Sequence, residues 1–379
     1  PLCVPNIDKK ELKSAEKVIK SGWLTDGPKN AEFEKTFAAY IGTKRAVSLN
    51  SCTSALQLAL EALSIKGEVI LPSFTFVASA NAIVKAGARP VFADIDYKTC
   101  NIDPHDVERK ITKRTQAIMV VHYGGQACEM DRIIAIAKRR NLSVIEDSAE
   151  TLGGTYRGRK TGSFGIGCFS FFPTKNITTG EGGMLVTESD EIADRVKALA
   201  AHGISRSTYE REKAKNPWYR EAFTAGYNYR MSSILAAIGI EQLKKLDGMN
   251  RKRRANAAYL NRRLVFPELE MPFEGANSFH VYQMYTVRTK GINRDEFISG
   301  LREKGVMASV HFTPPVHMQR YYARTYNYGK GDLPVTEDVS DRIVTLPMYP
   351  GLTRKELDYI VRSVEHVVNN MRRGRKKCR

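Results

Sequence analysis

The feature that most constrains this chain is an alternation, from about residue 44 to residue 190, of short β-branched runs with stretches of helical periodicity. Glu68–Leu71, Pro90–Ala93, Gln116–His122, Leu142–Glu146, Cys168–Phe172 and Met184–Thr187 read as strands, while Phe76–Ala86, Pro104–Ile111 and Met130–Arg139 read as helices. Strands separated by helices of this length need crossover connections. The expected class is therefore α/β, with a mostly parallel sheet covered on both faces. Ligands of such sheets bind beyond the carboxyl ends of the strands.

Elsewhere the pattern differs. Residues 231–264 carry one long helical stripe (Ile234, Ala237, Ile238, Leu243, Leu246) that bridges to a second unit. Beyond residue 265 come a strand at Val281–Arg288, a helix at Arg294–Lys304, a loop rich in Pro, His and Tyr, and a last helix at Arg354–Asn369. The expected division is an arm and large domain over 1–245 and a smaller α+β domain over 246–379. Its basic tail, Arg372–Arg379, is expected to fray. Net charge is +18, which fits a lysine-rich surface or an anionic substrate, but no nucleic-acid module accompanies it. The six cysteines are scattered without a C-x-x-C pair, so neither a disulfide framework nor a metal site is expected. With no basic-then-apolar leader and no apolar run of about 20 residues, a soluble cytoplasmic chain without a membrane partner is expected.

Four short segments carry chemistry. Lys175 lies just past the strand Cys168–Phe172 and just before the turn Gly180-Glu181-Gly182-Gly183. A lysine in a confined site forms Schiff bases and shuttles protons. Asp147 ends the apolar run Val144-Ile145, which puts a carboxylate at the carboxyl end of a core strand; as an isolated residue its lesser alternative is a helix cap. Glu146 is the rival carboxylate, but strand alternation turns it to the other face. Asn50-Ser51-Cys52-Thr53-Ser54 opens a helix, whose free N–H groups and dipole suit a phosphate. Pro72-Ser73-Phe74-Thr75-Phe76 ends a strand in aromatics, one of which can stack on a flat ring or pack in the core. Lysine, carboxylate, phosphate cradle and aromatic together suit pyridoxal 5′-phosphate (PLP), whose ring nitrogen needs an acidic partner.

With these residues in order, the chain resembles the DegT/DnrJ/EryC1/StrS sugar aminotransferases. The resemblance runs from Ser21-Gly22-Trp23 through Glu146-Asp147, Lys175, Gly226-Tyr227-Asn228-Tyr229-Arg230 and His311-Phe312 to His317. It implies a fold-type I architecture, with a large, mostly parallel sheet of the seven-stranded type and a smaller α+β domain. It implies Lys175 as the PLP lysine and proton carrier, Asp147 at the ring nitrogen and Phe76 on the ring. Thr53, Ser170 and the backbone at Cys52 would hold the phosphate, and Asn228 would reach it from a partner subunit, making the active unit a homodimer with shared sites. Arg230, His311 and His317 become candidates for substrate contact. The implied reaction transfers an amine from an amino-acid donor, by family habit glutamate, to a nucleotide-activated keto-sugar.

Three places depart from the family pattern, one of them Ser232-Ser233, where an acidic residue is common. Cys52 stands where glycine or alanine is common, and would make the site open to oxidation. Glu150 stands where glutamine or histidine is common, near the cofactor's phenolate oxygen, so it must be protonated or turned to other partners. That glutamate favours a 4-keto-6-deoxy sugar over a 3-keto sugar or keto-cyclitol. Dehydration would need the lysine replaced, and a non-catalytic regulatory or nucleic-acid-binding protein on the same fold would have lost Lys175 or Asp147; both are present.

Overall fold

The computed structural model describes residues 1–204, 209, 216 and 218–377. Its centre is a seven-stranded sheet of order β1-β9-β8-β5-β4-β2-β3. The strands are β1 (Arg45–Leu49), β2 (Glu68–Pro72), β3 (Arg89–Ala93), β4 (Thr115–Val121), β5 (Ser143–Asp147), β8 (Ile166–Ser170) and β9 (Gly183–Thr187). β6 (Thr155–Tyr156) and β7 (Arg159–Lys160) form a small hairpin off this sheet and pair with β11 (Ser278–Phe279). Of the seven, β9 alone runs antiparallel to its neighbours, pairing β1 on one side and β8 on the other. The mixed, mostly parallel α/β fold is thus the expected one.

Period-two alternation divides each strand between two cores. Leu49, Leu71, Met119, Ile145, Cys168 and Leu185 pack under the helices Cys52–Ala62, Val77–Lys85 and Asp190–Ala200. On the opposite face Phe169, Met184 and Val186 meet the helices Pro28–Ile41 and Ser233–Arg263, while Ile70, Ile118, Val120 and Val144 meet Met130–Arg140. Phe33, Phe37, Phe169 and Phe171 form a contiguous aromatic group there, with ring centroids 5.1 to 5.8 Å apart. The N-terminal arm consists of two helices, Lys9–Ser21 and Pro28–Ile41, both laid against the helix Ser233–Arg263. Asp8 opens the first with a capping box to Glu11, and Gly22 closes it at φ 75°.

A second sheet, β10 (Leu269–Glu270), β12 (Tyr285–Thr289) and β13 (Ile343–Leu346), backs onto the helices Arg294–Glu303 and Arg354–Lys377. The long helix joins both cores: residues up to Met249 belong to the large one, and residues from Ala257 to the second.

Three local expectations change. The strand expected from Val281 begins at Tyr285, because the N–H groups of Val281 and Met284 donate to the carbonyls of Gly125 and Gly124 instead of to a neighbouring strand. The loop rich in Pro, His and Tyr contains the helices Arg320–Tyr326 and Pro334–Arg342. The last helix continues past Asn369 to Lys377, with Val368 buried and Arg372 paired to Glu268 at 2.5 Å. The sequence also offers the loop 202–225, with Trp218, Tyr219 and Arg220, as a stretch that sets substrate choice; its residues 205–208, 210–215 and 217 lie outside the described residues.

One close approach ties the large sheet together. A Cβ on Gly183, the first residue of β9, would lie 2.3 Å from Ser51 C and 2.5 Å from Cys52 N. These are backbone atoms at the start of a helix and have little freedom to move. Gly183→Ala is therefore expected to destabilise the protein by roughly 2–3 kcal/mol in urea unfolding; an unchanged midpoint would contradict this packing.

Candidate active site

The carboxyl edge of the large sheet gathers the chemistry, because β1, β2, β4, β5 and β8 all end there. The chain leaves β8 at Ser170 and must turn over before entering antiparallel β9 at Gly183. Lys175 rides on that connection, five residues beyond the strand rather than three. A cavity of about 390 Å³ opens here, lined in part by Cys52, Thr53, Phe76, Asp147, Glu150, Ser170, Lys175 and His311.

Asp147 is 6 % exposed. Its Oδ2 accepts from Ser79 Oγ at 2.7 Å, its Oδ1 accepts from the Ala149 N–H at 3.2 Å, and the Cys52 thiol lies 3.9 Å from Oδ1. All three are neutral. Burial pushes the carboxyl above its usual pKa, against the lowering effect of Ser79, Ala149 and the charge of Lys175. A buried carboxylate held by neutral donors favours a cationic partner. Glu146 takes the other face, as alternation requires. It is fully buried, accepts N–H groups from Gly162, Phe164 and Gly165, and lies 3.0 Å from His122 Nε2. The Cys128 N–H donates to His122 Nδ1, so that imidazole is neutral and its Nε2–H points at Glu146.

Lys175 Nζ lies 3.4 Å from Glu150 Oε1, and Glu150 Oε2 accepts the Gly124 N–H at 2.8 Å. Glu150 therefore has partners of its own. Phe76 caps the helix Val77–Lys85 and keeps its ring 61 % exposed on the cavity wall. Ser51 caps the helix Cys52–Ala62 through the Ser54 N–H, and this helix start faces the cavity beside exposed Thr53 and half-buried Ser170. Cys52 corrects an expectation: it is buried, and burial first, then Asp147, drives its pKa well above that of a free thiol. A thiol so placed is a poor target for oxidation.

His311 lines the cavity, with Nδ1 at 2.9 Å from Thr345 Oγ1; burial lowers its pKa, Glu150 opposes that shift and Lys175 adds to it. His317 is not brought to the cavity. It is fully buried, with Nδ1 2.6 Å from Ser73 Oγ and Nε2 3.3 Å from Glu337, so neither nitrogen is free for a substrate. Exposed Asn228 bridges to Ala201, half-buried Arg230 bridges to Leu49, and neither lines this chain's cavity. Sequence reasoning missed Ser79 and the Gly124 amide. Ser79 carried a signal, a small hydroxyl three residues past Phe76 at a helix start, whereas the Gly124 contact joins residues 26 apart and carried none.

These groups fit PLP: a buried carboxylate with no cation hydrogen-bonded to it among the described residues, an exposed aromatic face, a helix N-terminus with adjacent hydroxyls, and a lysine amine on one cavity. The model of the DegT/DnrJ/EryC1/StrS aminotransferase family matches residues 5–365. The spore coat polysaccharide biosynthesis protein SpsC of Bacillus subtilis is 41% identical over 377 residues, 97% of each chain. Among solved structures, a putative sugar aminotransferase of Streptococcus pneumoniae, Spr1654, in its PMP form superposes with a TM-score of 0.92 at 27% identity, covering 98% of this chain and 99% of that one. Helicobacter pylori PseC, an aminotransferase involved in the biosynthesis of pseudoaminic acid, gives 0.91 at 29%, with the same coverage.

Removing the Ser79 hydroxyl deletes a bond that favours the ionised form of Asp147, so its pKa must rise further. In Ser79→Ala the Asp147 carboxyl, followed by isotope-edited infrared spectroscopy, is expected to titrate at higher pH than in the parent protein. An unmoved titration would show that Ser79 does not stabilise the carboxylate.

Proposed function

The chain belongs to the DegT/DnrJ/EryC1/StrS aminotransferase family, and on that premise we propose that it transfers an amine from L-glutamate to a nucleoside-diphosphate 4-keto-6-deoxyhexose. That it is a PLP-dependent aminotransferase acting on a sugar follows from the family and its solved members. The donor, the nucleotide and the ring position are the proposal. The convergence of Lys175, Asp147, Phe76 and the Cys52–Ala62 helix start on one cavity supports the PLP chemistry, and Glu150 on the same cavity is what favours the 4-keto-6-deoxy sugar.

Bound PLP supplies an electron sink for the carbon that loses its proton. On this reading Lys175 Nζ holds the cofactor covalently, then takes and returns the substrate proton at the same atom. Asp147 would hold the proton on the ring nitrogen, and that cation would suit its buried carboxylate. Phe76 orients the ring from one face. The first-turn N–H groups at Cys52 and Thr53, with the hydroxyls of Thr53 and Ser170, bind the phosphate. Glu150, 3.4 Å from Nζ, keeps the lysine turned into the cavity. Apolar Met284, Phe312, Leu346 and Met348 from the second unit line the same cavity and exclude water from the proton transfer. His311 is assigned to the substrate.

Asn228 and Arg230 are assigned to the cavity of a second copy, since neither lines its own. The working unit on this reading is a homodimer with shared sites. The +18 charge favours capture of a dianionic diphosphate.

Amination of a panel of nucleotide keto-sugars, read by mass spectrometry, tests the substrate. A 4-keto-6-deoxy sugar is expected to turn over with glutamate, and exclusive use of a 3-keto sugar or cyclitol would contradict the proposal. Lys175→Ala is expected to lose on the order of 10³-fold or more in rate, and Asp147→Ala on the order of 10²-fold. Mixing Lys175→Ala with Asn228→Asp chains should restore activity if sites are shared, and no restoration would sink that assignment.

A further inference from the structure

Carbonyls in a loop shielded from water must find donors. On the connection between β8 and β9, three successive carbonyls, those of Thr174, Lys175 and Asn176, find theirs outside the large sheet. Gln283 Nε2, from the segment just before β12, donates to Thr174 O at 2.9 Å. Arg253, on the long helix, places Nη2 3.5 Å from Lys175 O and Nη1 3.5 Å from Asn176 O. Asn250, three residues earlier on the same helix face, accepts from the Asn176 amide at 2.9 Å and donates to Leu152 O at 3.0 Å. The orientation of Gln283 follows from chemistry: a flipped amide would set its oxygen against the Thr174 carbonyl.

Arg253 is the unusual member of this group. It is 2 % exposed, its Nε has no partner, and among the described residues its Nη atoms meet carbonyls rather than a carboxylate. Burial draws its pKa down to about 10, with Cys3 opposing. Two long contacts to carbonyl dipoles offset only part of the cost of burying a cation. A neutral donor would satisfy the backbone at lower cost, so the retained charge points to a task at the neighbouring site.

We propose that Arg253 and Gln283 are positioning residues for Lys175, clamping the backbone on either side of it so that Nζ is held at the cavity. The inference rests on the reading of Lys175 as the residue that carries PLP. Arg253 does not line the cavity and acts through the backbone of the lysine loop, whereas Gln283 lines the cavity and grips the loop through its bond to Thr174 O. Because the clamp comes from the long helix and the second unit, the seating of that unit sets the reach of the lysine.

The test uses Arg253→Gln, Arg253→Lys and Gln283→Met, each with Lys175 present and in a Lys175→Ala background. With the lysine present, the rate of covalent attachment of PLP to the apoenzyme is followed by stopped-flow absorbance and confirmed by borohydride trapping. In the Lys175→Ala background, non-covalent PLP affinity is measured by fluorescence quenching. Attachment is expected to slow about 10- to 100-fold in Arg253→Gln and Gln283→Met and to recover largely in Arg253→Lys, with non-covalent affinity changing less than about threefold. Unchanged attachment would overturn the clamp, and so would an equal loss of non-covalent affinity, which marks a general packing role. If Arg253→Gln fails to fold, Gln283→Met carries the same comparison. Absence of a trapped adduct in the parent chain would overturn the Lys175 reading itself, and the clamp with it.

Discussion

The antiparallel placement of β9 between β1 and β8 is the constraint on which this molecule turns. A parallel strand there would have sent the chain back by a crossover and carried the residues after β8 away from the edge. Because β9 runs the other way, the connection doubles back at the carboxyl edge, where β5 and β1 also end. Gly183 makes the turn compatible with its surroundings, since any side chain there would strike the backbone of Ser51 and Cys52. One strand direction and one missing Cβ thus bring the lysine loop, the Asp147 carboxylate and a helix N-terminus to the same cavity.

The electrostatics of the site follow from burial. Asp147 is withdrawn from water, which raises its pKa against the lowering effect of its neutral donors Ser79 and Ala149 and of the Lys175 charge, and among the described residues no cation is hydrogen-bonded to it. Glu146, one residue away, faces the other way and is satisfied by three backbone N–H groups and a neutral His122. Adjacent carboxylates in one strand therefore take different work: one anchors the loop 162–165 and one faces the cavity. Arg253 is the cationic counterpart, buried against carbonyls behind the lysine.

Much of this was legible because it is local. Strand and helix alternation predicted the sheet, and the Val144–Asp147 run placed a carboxylate at a strand end with its neighbour turned away. What escaped was set by contacts distant in sequence. Nothing near Val281 announces that its N–H, with that of Met284, is taken by the Gly124–Gly125 turn, which delays β12 to Tyr285. His317 looked available as an imidazole in a loop, but Ser73, 244 residues away, and Glu337 occupy both of its nitrogens. Gln283 and Arg253 escaped for the same reason: a polar residue on a long helix or in a loop reads as solvated until the loop it grips is known.

The central claim is that Lys175 and Asp147 form one PLP site that accepts an amine from an amino acid. Its most direct test is the visible absorption spectrum of the purified protein with PLP, before and after L-glutamate. The account predicts a long-wavelength band that requires Lys175 and that glutamate converts to the shorter-wavelength pyridoxamine form. No such band in the parent protein, or a band that no amino donor moves, would contradict it.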